Sequence, residues 1–272
     1  MMFASKMKRS LACAAAAVCA WSMLAGSAAA APVPTQEPGM LKVAMAATYP
    51  PFEYFDGDKI VGSDVDFGHI LARHLGTDVS FQDAKFATLI MGLNAHHYDV
   101  VISGMYMTPE RLAQARAVPY ARTSSAILAT AASGLAPKQP EDLCGLRVGI
   151  VTGTVYLPKL HDLSESYCKK NGKGDINISE YASTAEAFQA MLSNNVQVGM
   201  QVANTAHALA DKSQGRVVVT STDIIYPQTI GIYVEKDNAA LFDVVSKTMA
   251  EVVKTPEYAE MLKKSSLFPP EQ

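Results

Sequence analysis

Apolar and polar positions along the chain switch repeatedly between a two-residue and a 3.6-residue period. Residues 41–45 (Leu-Lys-Val-Ala-Met) read as an apolar strand. From Ser63-Asp64-Val65-Asp66 onward, Val65, Phe67, Ile70, Leu71 and Leu75 fall on one helical face, and Gly76 ends the pattern as a left-handed cap would. A short strand at 79–81 leads to a helix over 86–96 carrying Leu89, Ile90 and Leu93, and 98–103 is apolar enough to be a strand buried on both faces. The series then repeats: a strand at 123–130, a Gly/Pro-broken loop at 134–140, a strand at 146–151 and a helix from Thr154 to about 169–172. It continues with a strand at 176–179 and a helix to Asn194 opened by the capping box Ser183-Thr184-Ala185-Glu186. Strands at 196–202, 216–220 and 229–234 precede two terminal helices, 238–253 and 256–264. Alternation at this spacing predicts α/β units with a largely parallel sheet. Two similar series joined by short extended segments predict two lobes with a cleft between them.

The first 30 residues follow a different rule. Lys6, Lys8 and Arg9 form a positive head, residues 11–24 an apolar core containing Trp21, and residues 26–31 a run of small side chains. This is the three-part pattern of a secretory signal peptide cleaved near Ala30 or Ala31. The apolar core is shorter than the roughly 20 residues a membrane-spanning helix needs. Cys13 and Cys19 lack the context of a lipid attachment site, so the mature protein is expected in the periplasm without an anchor. Removing residues 1–30 changes the charge balance from −3 to 20 Lys and Arg against 26 Asp and Glu, a net of −6. A mildly acidic chain of this kind excludes a basic nucleic-acid-binding protein. Its 49% hydrophobic content excludes a disordered one.

Two cysteines remain beyond the signal, Cys144 and Cys168. In an oxidising compartment such a pair reads as a disulfide. A helix packed antiparallel on the strand 146–151 would return its end to Cys144. Two free thiols or a redox pair are the alternatives, although the spacing is not Cys-x-x-Cys.

The stretch from Asp99 to Arg111 carries the clearest chemistry. A buried strand ends at Ser103 and turns through Gly104. Thr108 then caps a helix with Pro109 at its first position, where a missing N–H costs nothing. Arg111 therefore sits in the first helical turn, where a positive charge opposes the helix dipole by up to ~1 kcal/mol. A bound anion would resolve that conflict, since guanidinium offers a two-point fit to a carboxylate. A solvated Arg111, or one paired with Glu110, is the plainer alternative.

Tyr49-Pro-Pro-Phe-Glu-Tyr54, Gly62-Ser-Asp-Val-Asp-Phe-Gly68, Lys85-Phe86-Ala-Thr-Leu-Ile90 and Asp99-Val-Val-Ile-Ser-Gly-Met105 followed by Thr108-Pro-Glu-Arg111 occur in an order that resembles family three of the bacterial extracellular solute-binding proteins. These are the polar-amino-acid-binding components of ABC importers. The resemblance runs to Gly231-Ile-Tyr-Val-Glu-Lys-Asp-Asn238, and the surroundings of Cys144 and Cys168 resemble a subgroup with a disulfide there. It implies a two-lobed α/β periplasmic binding protein of type II with two crossover hinge strands, the lobes being 40–127 with 228–272, and 128–227. By the same resemblance, Arg111 clamps a ligand carboxylate, with Ser103, Gly104 and Tyr106 beside it. Thr154 closes on that carboxylate from the second lobe, and Tyr49 and Phe86 wall the ligand. Three positions depart from the family pattern. Ala46 stands where receptors for basic or amide side chains often carry an acid, and Tyr106 stands for a small hydroxyl. Val202 stands for the Asp that pairs with an α-ammonium, so either Gln201 or another acceptor replaces it, or the ligand is not a standard α-amino acid. A small carboxylate with an apolar or aromatic body is expected as ligand, and arginine or lysine fits poorly. The expected partner is an inner-membrane ABC permease, and the receptor is expected to be a monomer without metal, cofactor or catalytic residue. An enzyme on the same fold, such as a cyclohexadienyl dehydratase, and a sensor or docking domain are the alternatives.

Overall fold

The computed structural model describes residues 32–221 and 224–270, and the signal peptide expected at 1–30 lies outside the described residues. The first strand, β1 (Met40–Met45), leads into a small antiparallel meander of β2 (Thr48–Tyr49), β3 (Glu53–Asp56) and β4 (Lys59–Val61). Helix α1 (Ser63–Leu75) ends at Gly76, whose φ of 72° is the left-handed cap its sequence calls for. Next come β5 (Asp78–Asp83), a 3₁₀ turn Phe86–Thr88 running into α2 (Leu89–Asn94), β6 (Val100–Val101) and the single-turn helix α3 (Pro109–Leu112). A strand of 16 residues, β7 (Ala115–Thr130), follows.

Beyond β7 the chain forms β8 (Arg147–Val151), α4 (Tyr156–Leu163) widening into a π turn Ser164–Cys168, β9 (Asn177–Tyr181) and α5 (Thr184–Leu192). It continues through β10 (Val198–Val202), α6 (Ala203–Lys212) and β11 (Val217–Val219). The second long strand, β12 (Ile225–Glu235), returns to the starting half, and α7 (Ala239–Val252) and α8 (Pro256–Lys264) pack on α1.

One nine-stranded mixed sheet joins every other strand in the order β5-β1-β6-β12-β7-β10-β8-β9, with β11 also on β7, while β2-β3-β4 stay a separate sheet. Strand β7 is the shared beam. Residues 115–123 pair antiparallel with β12, 125–129 with β10 and 128–130 with β11. The parallel ladders β5-β1-β6 and β10-β8-β9 lie on either side of it. In the first half, Leu41, Val43, Phe67, Leu71, Tyr120 and Ile232 are buried with Leu241 and Val245 of α7. In the second, Val148, Ile150, Leu160 and Met200 do the same. Alternating buried strands covered by helices make this the α/β architecture expected from the periodicity.

Several elements differ from the sequence expectation, each for a local reason. The strand expected at 123–130 begins at Ala115. Pro119, which discourages a strand assignment, sits where the ladder shifts register between Ile230 and Gly231, so its missing N–H is accommodated at a bulge. The aromatic stretch 49–54, read as a loop, supplies two short strands. The helix expected from Thr154 starts at Tyr156, which places Pro158 in the first turn, where it breaks no internal bond. Its π turn carries Cys168 to Cys144, and the two form a disulfide with Cα atoms 5.5 Å apart.

Candidate functional site

The turn after β6 is built from behind by buried polar groups. Ser103 is fully buried; its Oγ accepts from Ala46 N at 3.1 Å and donates to Glu53 Oε1 at 2.6 Å. Gly104 N donates to Asp64 Oδ2 at 2.6 Å. Gly104 has φ +51°, and a Cβ there would stand 3.0 Å from Tyr49 Cε1, so glycine lets the Tyr49 ring lie against the main chain. Tyr49 in turn stacks on Phe52 with ring centroids 5.3 Å apart.

Thr108 caps α3 by accepting from Arg111 N at 3.3 Å, and Pro109 occupies the first helical position. These two residues fix where Arg111 leaves the backbone. Its guanidinium donates through Nη1 to Tyr106 O at 2.7 Å and through Nη2 to Gly153 O at 3.0 Å, and lies over Phe86 with Cζ 5.4 Å from the ring centroid. Tyr233 Oη donates to the same Tyr106 carbonyl at 2.6 Å. Burial pulls the Arg111 guanidinium below its ordinary value, opposed by the phenols of Tyr233, Tyr49 and Tyr156. Only some of the five guanidinium donors are used by these carbonyls, so the group keeps capacity for an anion.

Facing this turn is the segment after β8. Gly153 has φ +83°, and a Cβ on it would lie 2.9 Å from Ala87 Cα and 3.0 Å from Ala87 Cβ. Residues 153 and 87 therefore meet backbone to backbone, and only glycine fits. Thr154 spends both its amide, at 3.2 Å, and its hydroxyl, at 2.8 Å, on Val151 O. Next to it, Tyr156 Oη accepts from Ser125 Oγ at 3.0 Å and lies 3.3 Å from Tyr106 Oη. Burial raises both phenols above their ordinary range.

Two adjoining cavities lie between these segments. The smaller, 20 Å³, is lined by Tyr49, Phe86, Gly104, Tyr106, Arg111 and Thr154 together with Val155, Tyr156 and Val202. The larger, 260 Å³, shares Tyr49, Phe86 and Thr154 and adds Ala46, Asp83, Lys85, Ser183, Glu186 and Gln201. This volume suits a metabolite somewhat smaller than the drug-sized ligands of ~300–1,000 Å³ pockets. A wider 590 Å³ groove reaches Arg111 from its other side, past Met107, Glu110 and Lys159.

Of the eight residues singled out from the sequence, six line the smaller cavity and Gln201 lines the larger one. Ser103 lines neither; its hydroxyl turns back toward Glu53. Gln201 is 5% exposed, and its amide has no hydrogen-bond partner among the described residues. Sequence reasoning misses Tyr156, Glu53 and Asp64. The available signal for the last two is an acid inside an apolar stretch, Phe52-Glu53-Tyr54, and an acid on the apolar side of a helix start. A guanidinium flanked by aromatic rings, hydroxyls and an unpaired amide is equipped to hold a small anion-bearing molecule.

The chain matches Bacterial extracellular solute-binding proteins, family 3, over residues 41–266, and it belongs to that family. Among curated relatives it is 37% identical over 134 residues to the arginine-binding extracellular protein ArtP of Bacillus subtilis (strain 168), covering 48% of this chain and 52% of that protein. Against the L-cystine-binding protein TcyJ of Escherichia coli (strain K12) the identity is 28% over 222 residues, covering 80% and 79%. Among solved structures, an ancestral arginine-binding protein bound to arginine aligns with a TM-score of 0.72 and 30% identity, over 83% of this chain and 97% of that one. The fold is therefore the two-lobed type II periplasmic binding fold, in agreement with the sequence expectation. No helix among the described residues is long and apolar enough to cross a membrane.

Proposed function

We propose that this protein is the periplasmic receptor of an ABC importer and takes a small carboxylate-bearing ligand, an amino acid or related organic acid, into the cleft between its lobes. The reading places residues 40–127 with 228–272 in one lobe and 128–227 in the other. Strands β7 and β12 are then the two crossings, and closure is a hinge motion about them. One observation carries the reading: the Arg111 guanidinium, rooted in α3, reaches across to the Gly153 carbonyl at 3.0 Å and borders both cavities' shared aromatic wall. A carboxylate at Arg111 would be held by charge-assisted hydrogen bonds in a site from which closure expels water. Tyr49 and Phe86 would flank its body, and Gln201 would offer its amide to a polar group in the larger cavity. The relatives' names supply arginine and cystine as precedents for the ligand class. Ala46 and Val202, both buried, and the filled space at Tyr106 favour a ligand other than a basic amino acid. The role is binding, with no residue assigned to catalysis and the permease as the receiving partner.

The test is a thermal-shift screen of the mature protein with amino acids, dicarboxylates and aromatic acids, followed by titration calorimetry of the hits. A ligand at 100 times its Kd stabilises the native state by about 2.7 kcal/mol, which such a screen detects. Arg111→Ala is expected to abolish every hit while leaving the circular dichroism spectrum unchanged. Undiminished affinity in that variant would reject the carboxylate clamp.

A further inference from the structure

Beneath the turn that carries Gly104 lies a pair of acids with no counter-charge. Glu53, on β3, and Asp64, in the first turn of α1, are both fully buried. No ion pair reaches either one among the described residues. Their polar contacts are neutral donors. Ser103 Oγ donates to Glu53 Oε1 at 2.6 Å; Gly104 N donates to Asp64 Oδ2 at 2.6 Å; and Tyr120 Oη, from β7, lies 2.8 and 2.9 Å from the two Asp64 oxygens. Tyr120 is itself fixed, stacked on Phe67 of α1 with centroids 4.6 Å apart. Four donor contacts thus converge on three carboxyl oxygens, the shared Tyr120 hydroxyl counting once at each Asp64 oxygen. The fourth oxygen, Glu53 Oε2, is buried with no donor facing it.

Two adjacent carboxylates cannot both stay ionised in such a site, because burial cuts them off from bulk solvent and no ion pair among the described residues offsets their repulsion. As a carboxylate, Glu53 leaves Oε2 unsatisfied. As a carboxylic acid it gains a proton to donate, and the acid beside it, bonded to the next residue of the same turn, is Asp64. Asp64 already accepts on both oxygens and is best kept negative.

We infer that Glu53 and Asp64 hold one proton between them, carried on Glu53 Oε2, and that this shared proton positions the Ser103–Gly104 turn. Four separate pieces of chain meet at it: β3, α1, the turn itself and the long strand β7. The titratable groups facing the pair from these elements and from β2 are the phenols of Tyr120 and Tyr49, neither of which supplies a positive charge. The electrostatics agree in direction. Burial and the neighbouring Asp64 push Glu53 well above the ordinary carboxyl range, whereas Asp64, raised by burial, is drawn back to about 6 by Tyr120, Gly104 and Glu53. Glu53 is a positioning residue in this scheme and lines neither cavity.

The test needs no ligand, so its outcome is independent of the binding reading. The infrared spectrum of the wild-type protein at neutral pH should contain the carbonyl stretch of a protonated carboxylic acid, and Glu53→Gln should remove it. Melting temperatures across the pH range provide the second readout. A carboxyl raised in the folded state stabilises fully below its unfolded value, and that stability is lost as pH climbs through the folded value. The wild-type melting temperature should therefore fall from mildly acidic to alkaline pH. Glu53→Gln, which keeps an acceptor for Ser103 and a donor for Asp64, should match wild type in acid and exceed it in alkali. Asp64→Asn, which cannot accept from both Gly104 and Tyr120 through two oxygens, should melt lower throughout. Absence of the protonated-carboxyl band in wild type at neutral pH, or equal losses in the two variants, would overturn the inference.

Discussion

The approach of Gly153 to Ala87 gives the most direct handle on closure. A Cβ at position 153 would lie 2.9 Å from Ala87 Cα and 3.0 Å from Ala87 Cβ, closer than such carbons pack. Gly153→Ala therefore has two separable costs. The first is a non-glycine residue at φ +83°, about 1–2 kcal/mol, borne in every state that keeps this turn. The second is the clash with the 86–87 turn, an overpacking cost of about 1–3 kcal/mol that exists only when the two segments are together. Urea unfolding at saturating ligand reports the sum, whereas the loss of ligand affinity, measured against a free protein whose segments are apart, reports the second cost alone. In affinity it corresponds to about a 5- to 150-fold weakening. The same shift would stretch the Arg111–Gly153 hydrogen bond of 3.0 Å. Calorimetry with an acid identified by thermal shift, alongside the scattering-derived radius of gyration, measures both effects. Adding Ala87→Gly should recover part of the affinity, because it removes the methyl group from the clash and leaves the main chain of residue 87 in place. If Gly153→Ala binds as tightly as wild type and shows an unchanged radius, the segments do not meet in the bound state and the reasoning fails.

Further outcomes follow from the same geometry. Reducing the Cys144–Cys168 disulfide, which closes a loop of 24 residues, should lower stability by about 3.5 kcal/mol and the melting temperature by roughly 7–14 °C; a loss below about 1 kcal/mol in denaturant titrations would contradict the chain-entropy account. Gln201→Leu should leave stability nearly unchanged, since the amide lines the cavity and holds no hydrogen bond among the described residues, while ligand affinity drops about 5- to 30-fold. Equal affinity in wild type and Gln201→Leu would show that the amide does not contact the ligand.

Local signals in the sequence are reliable where one residue dictates one backbone geometry. Gly76 closes α1 in the left-handed region, Asn238 and Thr255 cap the last two helices, and Ser183 accepts from Glu186 N at 3.2 Å to open α5. Thr108 and Pro109 likewise put Arg111 in its turn. What the sequence hides is set by residues far apart. Strand β7 looks interrupted at Pro119 because the bulge that absorbs it depends on Gly231, over a hundred residues away. Ser103 reads as a cleft hydroxyl until Glu53, 50 residues earlier, is seen to claim it. Asp64 reads as a helix-start acid, yet its side chain turns inward to Tyr120 and Gly104. Helix α6 is hard to read because a short amphipathic stretch after a buried strand offers no strong start signal.

The place of β12 in the sheet has a consequence for how the molecule is made. It is the last strand of the chain, yet it slots between β6 and β7, near the middle. Until residue 235 is available, the edge of β6 has no neighbour on that side, and α7 and α8 have yet to cover α1. A growing polypeptide thus carries an unfinished first half for most of its synthesis, because the pairings that complete it span more than a hundred residues. Such wiring delays assembly until nearly the whole chain has emerged. It keeps the polymer threadable for longer than a fold completed in sequence order would.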